Sequence, residues 1–369
     1  MEFAISNPFT PQFGAMPKVL VGRDQVLADV RDGLLEGVGS PFRSILVQGP
    51  RGSGKTVLLG AARSVALEEG WLSVHVTTAP DLLDNLLDQT RLALTNFSEP
   101  PKRNIKGITI GPIAVATDLP SKETFGWRVQ MAKLIETSEQ HGSGILFTID
   151  EVHADEPSLR KFAQHFQEFV NEGRQVSVVL AGLNEPVDEL VQQVAVTFLT
   201  RAERELVGAV SSEEVEFAIS ETLMQSGRKI EADALSLATA ATRGFPFLIQ
   251  LFGYYIWRAA GPNSVVNLEH VKSGISAATN RLGRTIHAPA LRALSETDQS
   301  VLIALSTFNG AASTGELANA LNKQSNYLAV YRKRLLESGL IIEDTRGRID
   351  FAYPYMRDYL RDHTNSPNK

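Results

Sequence analysis

The sequence predicts an α/β fold: a parallel sheet with helices on both faces, then a helical domain, then a small C-terminal domain that contains a strand pair. Three observations carry this. Between Ser44 and Val207 short apolar runs alternate with helical patterns, as in sheets whose parallel strands are joined by crossover helices. One strand-to-helix junction holds Gly49-Pro50-Arg51-Gly52-Ser53-Gly54-Lys55-Thr56, which matches G-x-x-x-x-G-K-[ST]. From Ser211 onward the strand patterns stop, returning only as Leu340–Ile342 and Ile349–Ala352 around Arg346-Gly347.

Each element follows from the local pattern. Residues 1–18 are proline-rich and aperiodic and read as an extended arm. Val26, Leu27, Val30 and Leu34 give a helix face that Gly37, Gly39 and Pro41 terminate. Ser44–Gln48 is a buried strand, the glycine-rich loop follows, and Val57–Glu69 is a helix. Trp71–Thr77 alternates apolar and polar residues as a strand does, and the leucines of 81–95 space as a helix. Ile105–Ala116 reads as a hairpin insertion turning at Gly111-Pro112. A helix over 124–140 precedes the apolar run Gly144–Ile149, which ends in Asp150 and Glu151. A helix over 158–172, a strand at Val176–Ala181 and a short last strand, after Arg201 and Arg204 and ending in Leu206-Val207, complete the sheet.

Ser211-Ser212-Glu213-Glu214 is a capping box. It opens a run of helices at 211–226, 231–242, 246–260 and 268–282, and 283–289 reads as a linker. Helices at 297–306, 313–321 and 324–338, the strand pair, and a helix at 354–363 then give the order of a winged helix. The predicted domains are an arm at 1–18, a core at 19–208, a helical lid at 209–285 and the winged helix at 290–366. No internal repeat or low-complexity tract interrupts them.

The composition narrows the chemistry. A net charge of −6 means the molecule as a whole is not a polycation, so any nucleic-acid contact needs a local patch. The absence of cysteine excludes disulfides and thiolate metal sites and fits a reducing cytoplasm. No apolar run reaches the length of a membrane span, and the N-terminus lacks the pattern of a secretory signal.

In the loop, the glycines let the backbone aim several N–H groups at phosphate oxygens, and the helix that follows adds its positive end. Gly49 through Val57 therefore read as the ATP-binding loop, with Lys55 reaching the β- and γ-phosphates and Thr56 ligating Mg²⁺. Asp150 and Glu151 stand at the carboxyl end of a buried strand, where ligands bind in parallel sheets. Asp150 reads as the second Mg²⁺ group and Glu151 as the base that polarises water for attack on the γ-phosphate.

These motifs, with the helical lid behind them, resemble the AAA+ superfamily, and within it the replication-initiator and STAND-like ATPases. The resemblance covers about Val19 to Leu360 and is most specific at the loop and at Asp150-Glu151. It implies that Val21, Gly22 and Arg23 sit against the adenine. It also implies that Asn184 orients the attacking water and that Arg201 or Arg204 acts as an arginine finger on a neighbouring subunit's nucleotide. Arg243-Gly244-Phe245-Pro246-Phe247 is similar to the Gly-x-Pro lid motif, with Pro246 near the base. Phe247 stands where initiators carry a lid arginine; that departure implies slow turnover and long-lived bound nucleotide, with Arg243 as the candidate substitute.

In the C-terminal domain, Arg332, Lys333 and Arg334 lie on the expected recognition helix, and Arg346 and Arg348 at the wing tip. These are the residue types that meet base edges and phosphates. Yet Lys and Arg from 286 onward number 10 against 9 Asp and Glu, so the charge argument is local. The expected activity is ATP hydrolysis coupled to duplex DNA binding. The rival is a nucleotide-gated signalling or stress switch whose winged helix contacts protein. A small-molecule kinase on the same loop fits less well, because the tandem acids and the separate lid argue against it.

Overall fold

The computed structural model describes residues 6–12, 14–96, 126–192 and 199–364. The hairpin expected at 105–116 lies outside them. The chain forms two compact units. One comprises Arg23–Gly49 and Lys55–Val207; the other comprises Met1–Gly22, Pro50–Gly54 and Gly208–Lys369. No described helix is long and apolar enough to cross a membrane.

The first unit is a five-stranded parallel sheet. In chain order its elements are α1 (Asp24–Leu35), β1 (Ser44–Gln48), α2 (Lys55–Glu68), β2 (Leu72–Thr77), α3 (Leu82–Asn96), α4 (Trp127–Gln140), β3 (Ile145–Val152), α5 (Pro157–Asn171), β4 (Val176–Gly182), α6 (Asn184–Gln192) and β5 (Glu203–Leu206). The strand order is β2-β3-β4-β1-β5, with every pairing parallel. Alternate residues of one strand feed opposite layers, as the two-residue period requires. Ile45 and Val47 pack with α1 and α2, whereas Leu46 joins the core under α3 to α6. On α5 the buried Phe162, Phe166 and Phe169 share one helix face, each contributing about 2–3 kcal/mol by burial.

Two expectations change here. The last strand runs over Glu203–Leu206 and so contains Arg204, rather than starting after it. An edge strand tolerates charged residues, so a search for apolar runs starts it too late. Helix α6, which no periodicity announced, begins at Asn184.

The second unit is mainly helical. It contains α7 (Ser212–Met224), β6 (Lys229–Ile230), α8 (Ala232–Thr242), α9 (Pro246–Ala260), β7 (Val265–Val266) and α10 (Leu268–Leu282). These are followed by α11 (Ala288–Arg292), α12 (Glu296–Ser306), α13 (Thr314–Ala320), α14 (Ser325–Glu337), β8 (Ile341–Glu343), β9 (Ile349–Phe351) and α15 (Met356–Thr364). The capping box at Ser211 forms in full, with each side chain bonding the other residue's backbone N–H. Strands do not vanish after Ser211, since β6 and β7 make a short parallel pair. The expected linker is helical: residues 283–287 form a π-helical turn that continues α10 and leads into α11. Pro289 sits in the first turn of α11, where its missing N–H is no loss.

Among the described residues two hydrophobic cores hold this unit, one across α7 to α10, the expected lid helices, and one across α12 to α15 of the expected C-terminal domain. The N-terminal segment is docked rather than free. Phe9 is 2% exposed within the lid core, and Asn7 Nδ2 donates to the Tyr254 carbonyl at 2.9 Å. It lies so close to α9 that a Cβ on Gly253 would meet its ring at 2.3 Å. β8 and β9 pair antiparallel, and Ala312 bridges to Ile349.

Candidate active site

In the first unit the site is built where β1, β3 and β4 end. β1 delivers Gln48 and Gly49, and α2 starts at Lys55. The Lys55 ammonium donates to the Gly49 carbonyl at 2.7 Å, and Val57 lies on the first turn of α2. The Thr56 hydroxyl donates to Asp150 Oδ2 at 2.6 Å. Asp150 is only 5% exposed, and its other oxygen accepts the Glu151 N–H at 2.9 Å. The two residues expected to hold a cation, 94 positions apart, therefore present hard oxygens side by side, the donor type Mg²⁺ selects.

Glu151 follows with φ +54°. That left-handed backbone costs a non-glycine residue on the order of 1–3 kcal/mol. The β3–β4 register shifts between Ile149 and Val152, which marks a bulge. A bulge re-aims side chains at the end of a strand, and here it leaves Glu151 exposed while Asp150 is buried.

Asn184 follows the carboxyl end of β4 as the first residue of α6, and its buried Oδ1 has no hydrogen-bond partner among the described residues. Such an atom costs free energy unless something occupies it. Sequence reasoning passed over Gln48. Its side-chain amide donates to the Asn184 carbonyl at 3.3 Å and to Asp188 Oδ1 at 3.1 Å, tying β1 to α6. A polar residue closing an apolar strand was the available signal. Arg201 is exposed just before β5, whereas Arg204 pairs with Asp188 at 3.1 Å. Arg23 is buried and its carbonyl accepts the Leu27 N–H, closing the first turn of α1.

In the second unit, the middle of the glycine-rich loop turns through Gly52 at φ +80° and Gly54 at φ +90°, conformations that suit glycine. Ser53 is fully buried, and its hydroxyl donates to the Pro50 carbonyl at 2.9 Å. The Phe247 N–H donates to the Gly52 carbonyl at 3.2 Å, and Pro246 lies 3.6 Å from where a Cβ on Gly54 would be. Val21 packs partly buried against the lid core. Gly22 has φ +65°, and a Cβ there would strike Val210 at 2.7 Å and Glu214 at 3.1 Å. Arg51 is exposed. The Arg243 guanidinium is engaged by the C-terminal domain, pairing with Asp358 at 3.1 Å.

The basic residues of the C-terminal domain are largely neutralised by neighbours. Arg332 pairs with Glu343, Lys333 with Glu337 at 3.3 Å, and Arg334 with the buried Asp298 at 3.0 Å. Arg348 donates to the Ala311 carbonyl and lies 3.6 Å from Glu316. Arg346 is exposed on the turn between β8 and β9. There the Arg348 and Arg346 backbone N–H groups hold the Asp344 carboxyl below its usual range. On α14 the exposed surface includes Tyr327 and Val330.

Comparison with known proteins gives the fold a context. No curated protein matches the chain. Among solved structures, the Walker-type ATPase of Pyrococcus abyssi superposes with a TM-score of 0.63 at 15% identity, covering 93% of this chain and 96% of its own. The ORC2 protein of Aeropyrum pernix, solved as ADPNP–ADP complexes, gives 0.58 at 14% identity, covering 96% and 98%. Cdc6p of Pyrobaculum aerophilum gives 0.50 at 15% identity, covering 96% and 97%. At these identities the likeness establishes a shared fold. Residues 284–360 match a domain of unknown function (DUF8462). Residues 19–205, a little over half of the chain, match the AAA ATPase domain, and the chain belongs to that family.

Proposed function

We propose that this chain is a slow ATPase in which bound nucleotide governs duplex DNA binding by a C-terminal winged helix. The observation that carries the enzymatic half is the Thr56 bond to the buried Asp150, beside a strained Glu151 and an Asn184 oxygen that lacks a partner among the described residues. Lys55 turns from the Gly49 carbonyl to a phosphate oxygen when nucleotide binds. Thr56 and Asp150 would hold Mg²⁺, which would supply neutralising charge at the phosphates. Glu151 takes a proton from water that Asn184 orients; the water oxygen bonds the γ-phosphorus as its bond to the bridging oxygen breaks, and ADP leaves with that electron pair. Gly49 through Val57 cradle the phosphates, and Val21, Gly22, Arg23 and Pro246 receive the base. Arg201 is the finger candidate in preference to Arg204, which is already paired with Asp188. That role requires self-association.

Support for the DNA half is the helix and strand order of the C-terminal domain and the exposed Arg346. One observation favours the rival reading, in which the domain binds protein: Arg332, Lys333, Arg334 and Arg348 are each paired, and α14 exposes Tyr327 and Val330.

Fluorescent-nucleotide titration and steady-state turnover test the first half. Lys55→Ala abolishes binding, whereas Glu151→Gln binds normally and loses at least about 100-fold in turnover. Normal turnover in both variants ends the ATPase reading. Gel shift with duplex DNA at two salt concentrations, with and without ATP, tests the second half. A shift that weakens steeply with salt supports it, and no shift at low salt moves the assignment to a protein partner.

A further inference from the structure

Three residues of the second unit hold one another in unusual conformations. Arg243, the C-cap of α8, has φ +50°, and Gly244 follows with φ +75°. The two reverse the chain from α8 into α9, and only the second is a glycine. A Cβ on Gly244 would meet the Val210 carbonyl at 2.5 Å, so that position has no alternative residue. Arg243 is the strained one, and its side chain is engaged on the C-terminal domain. The guanidinium lies 4.1 Å from the centre of the Tyr355 ring and pairs with Asp358 Oδ2. Tyr355 is itself at φ +67°. Its hydroxyl donates to the Ala241 carbonyl at 2.6 Å, and its ring meets Phe252 edge-on at 5.7 Å. Non-glycine residues in this region persist where their surroundings over-determine them, and such strain marks working parts of a protein.

The turn at Arg243-Gly244 places the start of α9. Pro246 and Phe247 are the first two residues of that helix, and they meet Gly54 and Gly52 of the phosphate loop. We infer that Tyr355 and Asp358 of the C-terminal domain are positioning residues for the phosphate loop, acting through Arg243. They set the backbone of the α8–α9 turn, and that turn seats Pro246 and Phe247 against the loop. The inference deepens the proposed function and rests on it: it names the contact by which the C-terminal domain and the nucleotide influence each other. Linkage makes the influence mutual, because whatever the C-terminal domain does to nucleotide affinity, nucleotide does to that domain in return. Arg243 in this role is not a group on the phosphates.

The test is a double-mutant cycle on the full chain, read by titration with fluorescent ADP and ATP analogues. Asp358→Arg sets two guanidiniums against each other and weakens nucleotide affinity about fivefold. The melting temperature without nucleotide stays within about 2 °C, because the native pair is half exposed and such pairs add little stability. In an Arg243→Gly background, where glycine holds the turn unaided, Asp358→Arg has no further effect. Should Asp358→Arg not fold, Asp358→Asn, which removes only the charge that Arg243 pairs with, replaces it in the same cycle. Affinity unchanged within twofold, or an equal loss with and without Arg243, overturns the inference while leaving the ATPase reading intact. A wild-type chain that binds neither analogue removes both.

Discussion

The carboxyl end of β3 and the surface of α14 both gather charged residues, and they treat them in opposite ways. At Asp150 the carboxylate is buried, its partners are a hydroxyl and a backbone N–H, and the next residue is held in left-handed backbone. At the end of the neighbouring strand, an Asn184 oxygen is left without a partner among the described residues. On α14 the cations are more numerous, yet Arg332, Lys333 and Arg334 each meet an acid of the same domain. Unspent capacity separates the two regions. A buried oxygen that lacks a donor stores interaction energy for a ligand, whereas a surface arginine already paired has little left to offer.

The comparison breaks first if Asp150 proves dispensable. Asp150→Ala is expected to cost at least about 100-fold in turnover and to leave the Thr56 hydroxyl and Glu151 N–H without acceptors. Two such losses lower stability by about 1–3 kcal/mol, measurable by denaturant unfolding. Asn184→Ala sharpens the point by separating the two quantities. Its Oδ1 bonds no described residue, so stability does not fall while turnover falls about tenfold.

The second unit also has a buried titratable group, His287, packed against the rings of Tyr353 and Tyr359. Burial lowers its pKa from 6.5 to about 4, opposed by the Pro354 backbone. The unfolded chain therefore takes up the proton first as pH falls. The contribution of neutral His287 is whole above pH 6.5 and is lost between 6.5 and 4, a decline of at most about 3 kcal/mol. His287→Leu is expected to flatten melting temperature against pH across that window. A wild-type curve already flat there denies the burial its cost.

The smallest effect belongs to α14. Glu343→Gln releases Arg332 from its acid. If the helix grips duplex DNA, affinity rises two- to threefold and the salt slope steepens by about one counterion. An unchanged slope assigns α14 to protein.

Much of this was legible beforehand for local reasons. The loop from Gly49 to Thr56, the apolar run ending at Asp150 and the capping box at Ser211 each state their structure within a few residues. What escaped needed a neighbour distant in sequence. Helix α6 is set by packing Val187 and Leu190 into the sheet's core. The docking of Phe9 requires the lid core to be present, and the helical turn at 283–287 lies against Tyr359 of α15. A basic run on a helix reads the same from sequence whether or not acids from β8 and α12 reach it.

The sequence by itself determined the α/β core, the turn of the glycine-rich loop, the family and the apolar strand that carries Asp150, because periodicity and glycine's freedom at positive φ act over a few residues. Only the tertiary structure decided that Glu151 stands at a bulge, that an oxygen of Asn184 goes unbonded, that Arg243 belongs to Asp358 and Tyr355, and that the cations of α14 are neutralised. The reason is range. Backbone preference is local, whereas hydrogen-bond satisfaction and charge pairing are settled by whichever groups the packed fold brings within about 3 Å.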